Sequence, residues 1–179
     1  MLRALQLLGG KVPYHLTVVQ RPGSTEAQRL VEQTGLRGRF TYLERLSAEQ
    51  LACVYARAQL LVSPSLYEGF GLPAAEALAC GTAVVATTAG ALPEIVEDGV
   101  SGLLVPAGEV GPLAEAIRAL LENPERCQAM GEAGARRVRE RFSWRRTAED
   151  TVALYQEVLA RHGKRGGARL RQPELRATS

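Results

Sequence analysis

Ser63-Pro-Ser-Leu-Tyr-Glu-Gly-Phe-Gly-Leu-Pro-Ala-Ala-Glu76 is the stretch that decides how this chain is read. It follows the apolar run 60–62, which reads as a buried strand. It leads into a short helix over 73–80, with Pro73 suited to the first helical position and Gly81 just past its end. A strand, a Gly-rich turn and a helix start in that order point unpaired backbone N–H groups outward. The helix dipole favours negative charge at the same place, so the turn is suited to a phosphate. Gly69 and Gly71 let the backbone come close to a ligand because neither carries a Cβ.

Outward from this stretch, strand and helix signals alternate. Residues 1–8 read as helix and 15–19 as strand. A helix follows over 25–34, with Ser24 as its cap and Ala27, Leu30, Val31 and Thr34 on one face. Residues 40–43 read as strand, and Ser47-Ala-Glu-Gln50 is a capping box opening a helix that ends near Arg57. Strands at 83–86 and 103–105 flank a helical turn at Pro93 and an Asp98-Gly99 turn. Amphipathic helices then run from Pro112 to Leu121, from Pro124 to about Glu140, and from Ser143 to about Arg161. This alternation predicts an α/β fold: a Rossmann-like parallel sheet with helices on both faces.

Composition narrows the function. The chain has 179 residues and a formal charge of +3. Five basic residues (Lys164, Arg165, Arg169, Arg171, Arg176) and one acid (Glu174) lie in 163–179, leaving 17 of the 22 basic groups against 18 of the 19 acids in the rest. The body is near neutral, and a nucleic-acid partner is not expected. Residues 163–179 read as a basic, disordered tail after a domain spanning 1–162. No apolar run reaches the length of a membrane span and no signal peptide is visible, so a cytoplasmic location is the default expectation. Cys53, Cys80 and Cys127 are widely spaced and odd in number, and they read as free thiols filling the core. Two aspartates and two histidines leave no Asp-x-Asp or His-rich metal set.

Two phosphate-binding alternatives fail on detail. Gly69-Phe-Gly-Leu-Pro-Ala74 satisfies a dinucleotide fingerprint, but the acid due about 20 residues on is replaced by Thr87-Thr-Ala-Gly90, and Glu68 would repel a pyrophosphate. Gly10-Lys11 is followed by Val12, which rules out a P-loop. Glu68 and Glu76 remain. Each carboxylate can accept two hydrogen bonds from a vicinal diol, although Glu76 also reads as a first-turn acid facing the helix dipole.

Glu68-Gly-Phe-Gly-Leu-Pro-Ala-Ala-Glu76 resembles the Glu-x7-Glu motif of the retaining GT-B glycosyltransferases of family 4, or group 1. The likeness continues through Ser63-Pro-Ser-Leu-Tyr67, Ala79-Cys-Gly-Thr-Ala-Val-Val85, Leu92-Pro-Glu-Ile-Val96, Asp98-Gly-Val-Ser-Gly-Leu-Leu-Val-Pro106 and Phe142-Ser-Trp144. It covers residues 1–162. The resemblance implies the C-terminal, donor-binding domain of such an enzyme, holding a UDP- or GDP-linked sugar for transfer with retention and without a metal. Carried over by motif, Glu76 would accept the ribose hydroxyls and Glu68 would lie beside the donor sugar as the catalytic-site carboxylate. The amides of Gly69, Phe70, Gly71 and Leu72 would meet sugar and diphosphate, and the Leu46 backbone would meet the base.

Several features depart from the family pattern. The Gly-Arg-x4-Lys segment that clamps the diphosphate is absent, together with the strand before it, which would leave strand edges unpaired and inclined to associate. Gln20 and Glu44 stand where glycines are common near the base. The acceptor domain is expected in cis or in trans, and any peripheral membrane contact is expected through that half. This fragment alone would be inactive; the alternative is a noncatalytic nucleotide- or sugar-binding fragment, or a decayed gene product.

Overall fold

A computed structural model of the chain describes residues 1–10, 12–36 and 40–163; the tail expected at 163–179 lies outside the described residues from Lys164 onward. In chain order the elements are α1 (Leu2–Leu8), β1 (Leu16–Val19), α2 (Glu26–Thr34), β2 (Phe40–Leu43), α3 (Ala48–Arg57), β3 (Leu60–Ser63), α4 (Leu72–Ala79), β4 (Ala83–Thr87), α5 (Leu92–Ile95), β5 (Gly102–Val105), α6 (Val110–Leu121), α7 (Pro124–Arg141) and α8 (Trp144–Gly163). The contacts divide the chain into two compact units, Met1–Arg139 and the residues from Glu140 onward.

In the first unit every strand pairing is parallel, as the βαβ alternation requires. β1 pairs with β2, Leu16 opposite Phe40, and β4 lies between β3 and β5, Val84 facing both Leu61 and Gly102. The strands form two ladders, β1-β2 and β3-β4-β5. All five residues of β4 are buried, the burial expected of a strand covered on both faces, whereas all four of β3 are only half-buried. One core cluster joins the two ladders. It contains Ala4, Leu5 and Leu8 of α1, Val85 of β4, Leu113, Ile117 and Leu120 of α6, and Cys127 and Met130 of α7, with Leu16 and Phe40 packed against it. Helix α1 touches both α2 and α6, so it spans the two ladders.

The local signals give most helix boundaries. The capping box forms as written: Gln50 N–H donates to Ser47 Oγ at 3.2 Å, and Ser47 N–H to Gln50 Oε1 at 2.8 Å. Helix α2 differs from expectation. Its cap is Thr25, because Ser24 is used inside the preceding turn, and Leu30 is 46% exposed while Gln28 takes a place on the half-buried face. Helix α6 begins two residues before Pro112. The thiols are free, but only Cys127 is in the core; Cys53 is exposed and Cys80 half-buried.

Helix α7 reaches its neighbours through glycine. A Cβ on Gly131 would lie 1.9 Å from the Gly81 carbonyl oxygen, and one on Gly134 would lie 2.4 Å from Leu78 Cδ2. The absence of side chains at these two positions sets how closely α7 approaches the α4–β4 turn.

In the second unit, Ser143 Oγ accepts from Arg146 N–H at 3.2 Å and opens α8, as expected of a Ser cap. Arg146 pairs with Asp150 one turn on. Among the described residues no helix is long and apolar enough to cross a membrane.

Candidate functional site

The sequence-predicted site residues lie in loops that follow the carboxyl ends of strands, the usual ligand position in open parallel sheets, or, for Leu72 and Glu76, on the first turns of the helix that follows. Leu46 follows β2, and residues 68–72 follow β3 and run into α4. Gly71 caps α4 with φ 93, a left-handed conformation open to glycine, and a Cβ there would press on Leu92 Cδ2 at 3.0 Å. Pro73 is the second residue of the helix rather than the first.

Glu68 braces this loop. Its Oε1 accepts from Gly71 N–H at 3.2 Å and its Oε2 from Ser65 Oγ at 3.3 Å. Its carbonyl oxygen accepts from Ala91 N–H at 3.1 Å. Thr87, buried at the end of β4, donates from Oγ1 to the Ser65 carbonyl at 2.6 Å. The loop is therefore tied to both β4 and the β4–α5 connection. A carboxylate has about four acceptor sites, so two protein donors leave Glu68 capacity for a ligand hydroxyl. Leu66, Tyr67 and Leu72 are exposed alongside it.

Glu76 lies one turn into α4 and is exposed. Tyr55 of α3 donates its hydroxyl to Glu76 Oε2 at 3.2 Å, and the Tyr55 carbonyl accepts from Thr82 Oγ1 at 2.6 Å. Burial, followed by the Glu76 charge, pushes the Tyr55 phenol from its ordinary value near 10 up to about 12. The folded state thus holds this proton more tightly than the unfolded chain does. Stability is retained below about pH 10 and falls as pH rises from there toward 12. Chemical denaturation across this range should show the parent losing stability relative to Tyr55→Phe; parallel curves would contradict the coupling. Burial, then the Glu76 charge, also raises the Cys80 thiol, and burial raises that of Cys127.

Gln20 and Glu44 form a unit of their own. Gln20 Nε2 donates to Glu44 Oε1 at 2.8 Å and to the Ser24 carbonyl at 2.7 Å, and Gly23 N–H donates to Glu44 Oε2 at 3.1 Å. The bonds from Gln20 and Gly23 hold the Glu44 carboxyl below the usual range. The two departures near the base position thus pair with each other across the β1–α2 and β2–α3 loops. Arg45, next in the chain, has φ 53 and turns the backbone toward half-buried Leu46 and the Ser47 cap of α3. Leu46 is connected to Glu76 through that helix, by way of Tyr55.

Tyr55, Thr87 and Gly90 are not legible as site residues in the chain alone. Tyr55 sits among Val and Ala and reads as core, and Gly90 reads as an ordinary turn residue. Only Ser65, three residues before Glu68, carried a local signal, the spacing of a side-chain-bonded turn.

A family model described as "Glycosyl transferases group 1" matches residues 1–137. The chain belongs to the group 1 glycosyl transferases. Within this family it is 42% identical over 147 residues to an MMP α-(1→4)-mannosyltransferase of Mycolicibacterium hassiacum, covering 82% of this chain and 35% of that protein. Among solved structures it resembles sucrose-phosphate synthase from Thermosynechococcus elongatus, with TM-score 0.78, 33% identity, and 89% of this chain and 42% of that one covered. It also resembles Anabaena HepE, solved in complex with UDP, with TM-score 0.68, 26% identity, and coverage of 91% and 44%. This group 1 chain spans about a third of the mannosyltransferase and less than half of either solved chain.

Proposed function

We propose that this chain is the donor-binding half of a glycosyltransferase that moves a sugar from a UDP- or GDP-linked donor to an acceptor with retention of anomeric configuration. The observation that carries the reading is the β3–loop–α4 unit, in which two carboxylates, Glu68 and Glu76, flank a glycine-capped helix start. Family membership and the complex of HepE with UDP support a nucleotide-sugar ligand. In this reading Glu76 binds the ribose diol and Glu68 lies against the donor sugar. The backbone at Gly69, Phe70, Gly71 and Leu72 meets sugar and diphosphate, and the Leu46 backbone meets the base. Transfer runs without a bound metal. The N-terminal acceptor half acts in cis or in trans, and this half alone is inactive.

Calorimetric titration with UDP and GDP tests the ribose assignment. Glu76→Ala removes charge-assisted hydrogen bonds worth about 1.5–3 kcal/mol, so affinity should fall about 10- to 100-fold. Unchanged affinity would make Glu76 a dipole-complementing acid only. With the acceptor half present, Glu68→Ala should lose transfer while retaining nucleotide binding. Unchanged turnover would reduce Glu68 to the loop brace seen in its bonds to Ser65 and Gly71.

A further inference from the structure

We infer that Tyr55 is a positioning residue for the nucleotide site, fixing the Glu76 carboxylate so that its remaining acceptor positions face the ribose diol. This inference rests on the reading of Glu76 given above. The geometry that carries it is a fixed donor on one element and an exposed acceptor on the next. Tyr55 is 9% exposed, its backbone carbonyl is anchored by Thr82, and its helix is closed at the start by the Ser47–Gln50 capping box. The hydroxyl therefore comes from a rigid support. Glu76, by contrast, is an exposed side chain with three rotatable bonds, and an exposed glutamate loses rotamer freedom when a ligand orders it. The Tyr55 bond to Oε2 imposes part of that order before the nucleotide arrives, leaving Oε1 and one further lone pair for vicinal hydroxyls. Burial holds the phenol proton up to about pH 12, so Tyr55 is the donor in its bond to Glu76.

The test compares UDP with 2′,3′-dideoxy-UDP, titrated calorimetrically into the full chain as parent, Tyr55→Phe, Glu76→Gln and the double variant. Tyr55→Phe keeps the buried ring and deletes only the hydroxyl. It should weaken UDP about 5- to 20-fold while changing the dideoxy compound less than about twofold, and it should add nothing to Glu76→Gln. A purely structural role would weaken both ligands alike, and that result overturns the inference. So does a Glu76→Gln variant that loses the preference for ribose while Tyr55→Phe retains it, a result that leaves the ribose reading intact. If the parent ignores the sugar hydroxyls, or Glu76→Gln keeps the parent's preference, the ribose reading fails and Tyr55 has nothing to position.

Discussion

Gly90→Ala should disable the site while leaving the fold recognisable, with nucleotide affinity falling at least about tenfold and stability by about 2–5 kcal/mol. Gly90 has φ +55, and a Cβ built there lies 1.9 Å from the Glu68 carbonyl oxygen and 2.9 Å from the Glu68 carbonyl carbon. Both atoms are backbone, so no rotamer change relieves the clash. The Glu68 peptide must move, and with it the hydrogen bonds from Ala91 N–H and Gly71 N–H that fix the turn. The expected cost combines about 1–2 kcal/mol for alanine in the left-handed region with about 1–3 kcal/mol for overpacking. Gly99→Ala separates these contributions, since Gly99 has φ +75 but nothing within 4 Å of the added Cβ. That variant should show the strain alone and bind nucleotide as the parent does. Equal nucleotide affinity in the two variants would show that the close approach of Gly90 does not hold the Glu68 turn.

Gly131→Ala should destabilise the first unit by about 3 kcal/mol or more, a fall in melting temperature on the order of 10 °C. Helix propensity alone predicts the opposite sign, because alanine is favoured over glycine inside a helix by about 1 kcal/mol. Tertiary contact reverses it. The added Cβ would lie 1.9 Å from the Gly81 carbonyl oxygen, on the turn from α4 into β4, and 3.2 Å from the N of Ala83, the first residue of β4. Helix α7 would have to retreat from that turn, loosening buried Met130 and Leu78. Gly111→Ala in α6, where the new Cβ meets nothing within 4 Å, should leave stability unchanged or raise it by up to about 1 kcal/mol. A thermal melt of Gly131→Ala at or above the parent's would show that α7 can draw back from the α4–β4 turn without loss of packing.

The order of elements, the parallel pairing and the position of the carboxylate pair are legible in the chain alone. Each of these follows from short-range chemistry. The apolar run 83–86 reads as a covered strand, Ser47 and Gln50 close their box within one turn, and Pro73 places the start of α4 to within one residue. Glu68 and Glu76 were visible because eight residues of local chain fix their spacing. The tertiary structure decided what surrounds them. Tyr55 is 21 residues from Glu76 and reaches it only because α3 packs on α4; Gly90 is 22 residues from Glu68 and meets it only because the β4–α5 connection folds back on the loop. Gln20 and Glu44 stand in the chain as two separate departures and are one hydrogen-bonded pair in space. Periodicity and capping report interactions within a turn or a strand, whereas these contacts depend on which faces of different elements meet. That is set by packing of the whole core, to which no single segment's pattern is sensitive.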